Sequence, residues 1–279
     1  KPKPNRENIP MRPTAVEGKT DFYILARKIN DNSQREFKIS YKKPSFSFVE
    51  NKVKTHRIPF IYGEDWSQIL QTQAESIQDL FNSECLVNFN NQTIKLGWRY
   101  EIEQLDAPGI AGRNLSVNIT QNISSQVLWG DGCAEGMRNA FVNDEIVNNS
   151  GIPDYILIKD PDDIETIDDV FNDLQDIQEY ANHHDRMRAS YIAQNNRWIQ
   201  STHRWKTEGN SRGFPVWIKW NVQNNLLRGK PVFDEPYAQT SGDVIETLQA
   251  CFEELNIDYQ NGFSFEMLNN RFSNDTVIC

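Results

Sequence analysis

Apolar residues recur along this chain with one of two periods, and the switches between them divide it into elements. A period near two runs through 21–29 (DFYILARKI), 36–42 (EFKISYK) and 45–54 (SFSFVENKVK), where Phe46, Phe48 and Val53 stand among polar neighbours; each predicts a strand. From Asp65 to Phe81 the spacing becomes helical: Trp66, Ile69, Leu70, Ala74, Ile77, Leu80 and Phe81 share a side, with Asp65 as N-cap and Gln68 three residues on. Strands follow at about 85–104 and 114–129. In the latter Leu115, Val117, Ile119 and Ile123 alternate with polar residues, as in a half-buried antiparallel strand. The turn Gly130-Asp131-Gly132 then opens a helix near 133–147.

A short apolar strand at 154–159 (DYILIK) ends at Asp160-Pro161, which opens the longest helical pattern in the chain. Its apolar positions are Ile164, Ile167, Val170, Phe171, Leu174, Ile177, Ala181, Met187 and Tyr191, fading toward Trp205, so one long helix is expected near 162–205 with a break near Asn195-Asn196. The last third predicts strands at 214–222 and Pro231–Asp234. A helix follows from Ser241, with Val244, Leu248, Phe252 and Leu255 on one face. No repeat of 20–50 residues is present. The expected class is α+β: largely antiparallel sheets packed with three to four helices. Residues 1–20 form an extended basic arm, 21–150 a β-rich domain and 151–279 a region with the long helix, either separate from 21–150 or continuous with it.

Composition narrows the classes. With 279 residues, 38% of them hydrophobic, the chain can bury a core without staples. No apolar run approaches the roughly 18 residues of a membrane span and no signal segment opens the chain, so a cytoplasmic or virion protein is expected, although Lys1 in place of Met leaves room for a trimmed leader. Cys85, Cys133, Cys251 and Cys279 lie far apart without a CxxC pair and are expected reduced. The triplets at Asn114, Asn118 and Asn122 match glycan acceptors, in a chain rich enough in Asn to contain them by chance.

Charge changes the picture most. Residues 1–60 carry 14 Lys/Arg against 6 Asp/Glu, while the remaining 219 carry 15 against 33, so a net +8 precedes a net −18. Residues 144–185 hold 13 acidic side chains and a single base, Lys159, a density that argues against nucleic acid as a partner. The leading segment, with Lys1, Lys3, Arg6 and Arg12 among four prolines, is built to reach a surface of opposite sign.

Several residue groups raise chemical alternatives. Asp160, Asp162 and Asp163, with Glu165 nearby, suit Mg²⁺ at the end of a strand, and equally suit an N-cap and first helical turn. Pro153-Asp154 begins a nuclease-like pattern, but Leu157 stands where an acid should precede Lys159; an acid-x-Lys triplet occurs instead at Glu50-Asn51-Lys52. Glu179 and His183 share a helical face as weak metal ligands, with His184 and Asp185 adjacent and no second motif. Cys133 follows a glycine turn, with Asp131 and Glu135 where a nucleophile elbow needs glycine. Trp217 and Trp220, with Phe214, offer a stacking platform for sugars or bases, or else an ordinary two-faced strand.

The charge split favours a structural or interaction protein that self-assembles or joins assembly subunits, such as a virion or phage-tail-like component, without cofactor or membrane. The alternatives are a Mg²⁺-dependent nuclease or phosphoesterase using Asp154, Asp160, Asp162, Glu50 and Lys52, and a carbohydrate-binding module using the Trp217 region.

Overall fold

The computed structural model describes residues 18–46, 48–105, 115–143, 145–199, 201, 204–205, 212–259 and 263–279. Along the chain run β1 (Phe22–Arg27), β2 (Gln34–Lys42), β3 (Phe48–Glu50), α1 (Ile58–Tyr62), α2 (Trp66–Glu75), α3 (Gln78–Ser83), β4 (Val87–Asn88), β5 (Thr93–Gln104) and β6 (Ser116–Asn118). Then come α4 (Ser124–Leu128), α5 (Glu135–Arg138), β7 (Ala140–Val142), β8 (Glu145–Val147), β9 (Tyr155–Ile158), α6 (Ile167–Asn172), β10 (Gln175–Asp176) and α7 (Ile177–His183). The order closes with β11 (Met187–Ile199), β12 (Arg204–Trp205), β13 (Val216–Gln223), β14 (Leu226–Val232) and α8 (Ser241–Glu254). The class is mixed α+β with mostly antiparallel sheets. The described residues fall into two compact units, each gathered from three stretches: Lys1–Glu50, Ile102–Ala111 and Asn118–Arg188 in the first, Asn51–Glu101, Gly112–Val117 and Ala189–Cys279 in the second.

In the first unit a four-stranded sheet runs β1-β2-β9-β10, with β2 and β9 parallel and the outer pairs antiparallel. β9 earns its inner place by burying Ile156 and Leu157. The charged residues flanking it are paired, Asp154 with Lys38 at 3.1 Å and Lys159 with Asp173 at 2.6 Å. Phe37 of β2 meets Phe171 of α6 edge to face at 4.8 Å. Helix α6 starts at a capping box of Thr166 and Asp169, and α7 at Asp176, whose carboxylate accepts from the Gln178 and Glu179 amides.

In the second unit β5 and β13 are antiparallel neighbours, and β13 turns into β14 through Asn224-Asn225, both at positive φ (52° and 59°), as a two-residue hairpin loop of this hand requires. Phe81 of α3 anchors the core against Trp98 (4.8 Å), Tyr191 (5.1 Å) and Phe233 (5.5 Å). Helix α8, opened by a capping box of Thr240 and Asp243, packs Val244, Leu248 and Phe252 inward. The C-terminal tail is tied to this unit: Cys279 forms a disulfide with Cys85, and its amide donates to the Val87 carbonyl at 2.9 Å.

Four tyrosines of the second unit cluster, Tyr100, Tyr191 and Tyr237 buried and Tyr62 half-buried. The Tyr62 and Tyr100 hydroxyls lie 2.7 Å apart, Tyr100 donates to Gln73 Oε1 at 2.7 Å, and Tyr237 donates to the Val53 carbonyl at 3.1 Å. Burial pushes the phenols of Tyr100, Tyr191 and Tyr237 well above their ordinary value of 10.0 and that of Tyr62 up to about 12. A phenol whose folded pKa is raised contributes stability that is complete below pH 10.0 and is lost as pH climbs through the folded values. Alkaline titration should therefore show these four phenolates silent until circular dichroism reports cooperative unfolding. Free titration of all nine tyrosines with the fold intact would contradict this.

Six expectations are corrected. The long helix near 162–205 does not exist: its first half divides into α6 and α7 with β10 between them, and Met187–Ile199 is a 13-residue strand. Its apolar residues are buried through pairing beside β5 rather than along a helical face, tertiary context overriding local period. The helices, expected as three to four, are more numerous and mostly a turn or two long, and Asp65–Phe81 divides at Ser76-Ile77 into α2 and α3. Most of 114–129 is not strand: after β6, Asn122 Oδ1 accepts from the Ser124 amide and hydroxyl and starts α4. The helix near 133–147 is the single turn α5 followed by the β7-β8 hairpin, whose Asn143 takes φ 52°. Finally, two of the four cysteines are bonded rather than reduced.

Candidate interaction surface

Among the described residues, the first unit presents one long sheet edge without a neighbour. β1 is terminal, and which of its backbone groups face outward follows from its partner. Within β2 the carbonyls of Lys38 and Lys42 accept from Asp154 and Lys159 on the β9 side, so the odd-numbered residues between them turn toward β1. With Phe22 opposite Ile39 and Ala26 opposite Arg35, the even-numbered residues of β1 bond to β2, and Tyr23, Leu25 and Arg27 turn their N–H and C=O groups to the open side. Phe22 and Leu25 are each 50% exposed, and Ile29, just beyond the strand, is 94% exposed. Tyr23 is held by a hydrogen bond to Glu36; partial burial first, and then that carboxylate, push its phenol up to about 12.

The other ends of the main strand paths in the two larger sheets are short or covered. β10 and β12 are two residues each. The outer edge of β14 is covered where Leu227 bonds to Arg271 and Ser273 and where the Gly229 amide donates to Thr276 Oγ1. The next outward position is Pro231, which has no N–H to offer. Short edges, covering segments and proline are the devices by which sheets avoid chance pairing, and among the described residues β1 carries none of them.

Beside this sheet, Asp160, Asp162, Asp163, Glu165 and Asp168 are all exposed, with Lys159 turned inward onto Asp173. Asp160 and the neighbouring Asp169 are occupied locally. Asp160 caps the turn Pro161–Asp163 by accepting from the Asp162 amide, and Asp162 lies in that first turn. Asp169 accepts from Thr166 and the Glu165 amide, which with the Thr166 hydroxyl foremost hold its carboxyl below the ordinary value. Asp154 is paired with Lys38, and Glu50 accepts from Lys19 Nζ at 2.6 Å. Lys52 is exposed at φ 54°. Glu179 and His183 share α7, where His183 Nδ1 contacts the Glu179 backbone carbonyl at 2.7 Å. His184 stacks on Tyr180 with ring centroids 4.1 Å apart. Among the described residues no group of three or more His, Cys, Asp or Glu is placed to hold a metal.

Lys1, Lys3, Arg6 and Arg12 lie outside the described residues. Of segment 1–20, the described part is Gly18–Thr20, where the Lys19 and Thr20 amides both donate to the Gly151 carbonyl. Trp220 is removed from any stacking platform: it is 1% exposed and its indole donates to the Lys95 carbonyl at 3.2 Å. Cys133 and Cys251 lie outside the disulfide, and burial pushes the Cys251 thiol up to about 11. No family model matches the chain, and neither a curated protein nor a solved structure matches it. No helix among the described residues is long and apolar enough to cross a membrane.

The sequence announces β1 as a strand but not as an edge, because edge status depends on which segments pair elsewhere. The strand expected at Pro231–Asp234 is instead β14, Leu226–Val232, and Pro231, taken as its start, lies inside it.

Proposed function

We propose that this protein is a structural, interaction-type subunit that builds a multi-subunit assembly by pairing the open edge of β1 with the same edge of another copy. The observation that carries the reading is the contrast between edges: β14 is covered and has Pro231 at its last outward position, while among the described residues β1 leaves Tyr23, Leu25 and Arg27 open, with the half-exposed leucine at their centre. Two-fold antiparallel pairing through the outward residues Tyr23, Leu25 and Arg27 places Leu25 opposite its symmetry mate and Tyr23 opposite Arg27, an apolar pair flanked by cation–aromatic pairs. The opposed charges of the leading 60 residues and the remainder support the reading, since they favour encounter between copies at low salt.

Size-exclusion chromatography with light scattering over a concentration and salt series tests this. The wild type is expected to be dimeric or larger at low salt, and Leu25→Pro, which removes one outward N–H without touching the β2 ladder, to be monomeric. In a hydrogen-bonded pair the Cα atoms stand about 5.5 Å apart, within disulfide reach, so Leu25→Cys should cross-link into dimers under oxidation. A wild type that stays monomeric throughout, or a Leu25→Pro variant that assembles unchanged, defeats the proposal.

A further inference from the structure

A groove of about 710 Å³ lies within the second unit, between α2-α3 and the β13-β14 hairpin, in the size range of small-molecule sites. Its floor is a face of the hairpin. The register sets Trp217 opposite Val232 and Lys219 opposite Lys230, so two exposed ammonium groups share one face directly across from each other. Like charges in that arrangement are unfavourable, and neither lysine forms an ion pair among the described residues. Gln78 and Asn82, one turn apart on α3, line the opposite wall with both amides exposed. Trp217 is fixed in place because its indole N–H donates to the Glu235 carbonyl at 3.2 Å.

The remaining charges decide the ligand. Glu75, Asp234 and Glu235 also line the groove and outnumber the two lysines, so a polyanion gains nothing by entering. What suits ammonium donors, carboxylate acceptors and amides that do both, beside a fixed indole, is an uncharged molecule dense in hydroxyls with an apolar ring face. We infer that this groove is a binding site for a short neutral oligosaccharide. Each sugar hydroxyl both donates and accepts, so adjacent hydroxyls can satisfy the Lys219, Lys230 and Asn82 groups together while a ring edge meets the part of Trp217 left open, 9% of the residue. The site is independent of the β1 edge and uses no residue of it.

Saturation-transfer NMR on the full chain tests this, with maltotetraose, cellotetraose, xylotetraose and chitotetraose as neutral probes and a heparin-derived tetrasaccharide as the anionic one. Transfer from at least one neutral probe is expected, with affinity falling about tenfold or more in a Lys219→Ala/Asn82→Ala double variant, the loss of two or three hydrogen bonds. Both substituted side chains are exposed, so circular dichroism should match the wild type, and Leu25→Pro should bind unchanged. Transfer from none of the neutral probes, from the heparin fragment alone, or undiminished in the double variant overturns the assignment.

Discussion

Arg188→Met is expected to destabilise the first unit by about 4 kcal/mol, read as a lower midpoint in denaturant unfolding. Glu103 is only 1% exposed, and two hydrogen bonds from Arg188, Nη2 at 2.7 Å and Nε at 3.1 Å, converge on one oxygen of its carboxylate. The Leu105 amide bonds to the Arg186 carbonyl, so two residues further in Glu103 stands directly across from Arg188 on adjacent strands. Removing the guanidinium takes two charge-assisted hydrogen bonds from a carboxylate that water does not reach, and the loss of that compensation dominates. The same logic predicts the control: Glu103→Leu/Arg188→Met, which removes both charges and keeps the volume, should recover most of the stability. A single variant as stable as the wild type, or a double variant no better than the single, would show that the pair is not the buried electrostatic unit its geometry describes.

Elements defined by their own residues were legible in the sequence; elements defined by distant partners were not. The α8 helix carries its start signal in Thr240 and Asp243 and its packing face in Val244, Leu248 and Phe252, all within one stretch. β9 is an uninterrupted apolar run between charges, and the β1 and β2 strands alternate as strands do. The region after Asp160 failed for a physical reason. Apolar residues at Ile164, Ile167, Val170, Phe171, Leu174 and Ile177 satisfy a helical period, but Ile167 remains 59% exposed, so the period did not mark a continuous buried face. From Met187 onward, Ala189, Tyr191 and Trp198 are buried because β11 lies beside β5, more than eighty residues earlier in the chain, and no local spacing encodes that neighbour.

The candidate surfaces divide in the same way. Asp160 was readable as a cap because capping is local, and the structure uses it so. Trp217 and Lys219 were placed correctly on one face by strand alternation, yet the facing lysine, Lys230, and the amides of α3 become neighbours only through tertiary pairing. An open edge is harder still, since it is defined by what does not pair. It becomes visible only when every other terminal strand has been accounted for.

Reduction of the Cys85–Cys279 disulfide should lower the stability of the second unit by on the order of 4 kcal/mol, since it closes a loop with a sequence separation of 194 residues and so restricts the unfolded chain strongly. Neither cysteine sits in a motif, and their partnership arises because the tail returns to β4: the Leu86 amide donates to the Val277 carbonyl, and those of Phe89 and Val87 to Cys279 and Val277. Dithiothreitol should therefore lower the unfolding midpoint of the wild type and leave Cys279→Ser, already at the lower value, unmoved. Hydrogen exchange locates the effect, with the Val87, Phe89 and Cys279 amides losing protection before those of β5. The bridge has a second consequence, because the same tail shields β14 through Arg271, Ser273 and Thr276. A reduced chain that frays from its C-terminus exposes a second edge, so reduction should broaden the self-association that Leu25→Pro suppresses, and a Leu25→Pro sample should begin to associate when the reductant is added. If reductant changes neither stability nor tail protection, the tail is held by its backbone pairing alone and β14 stays covered regardless of the bridge.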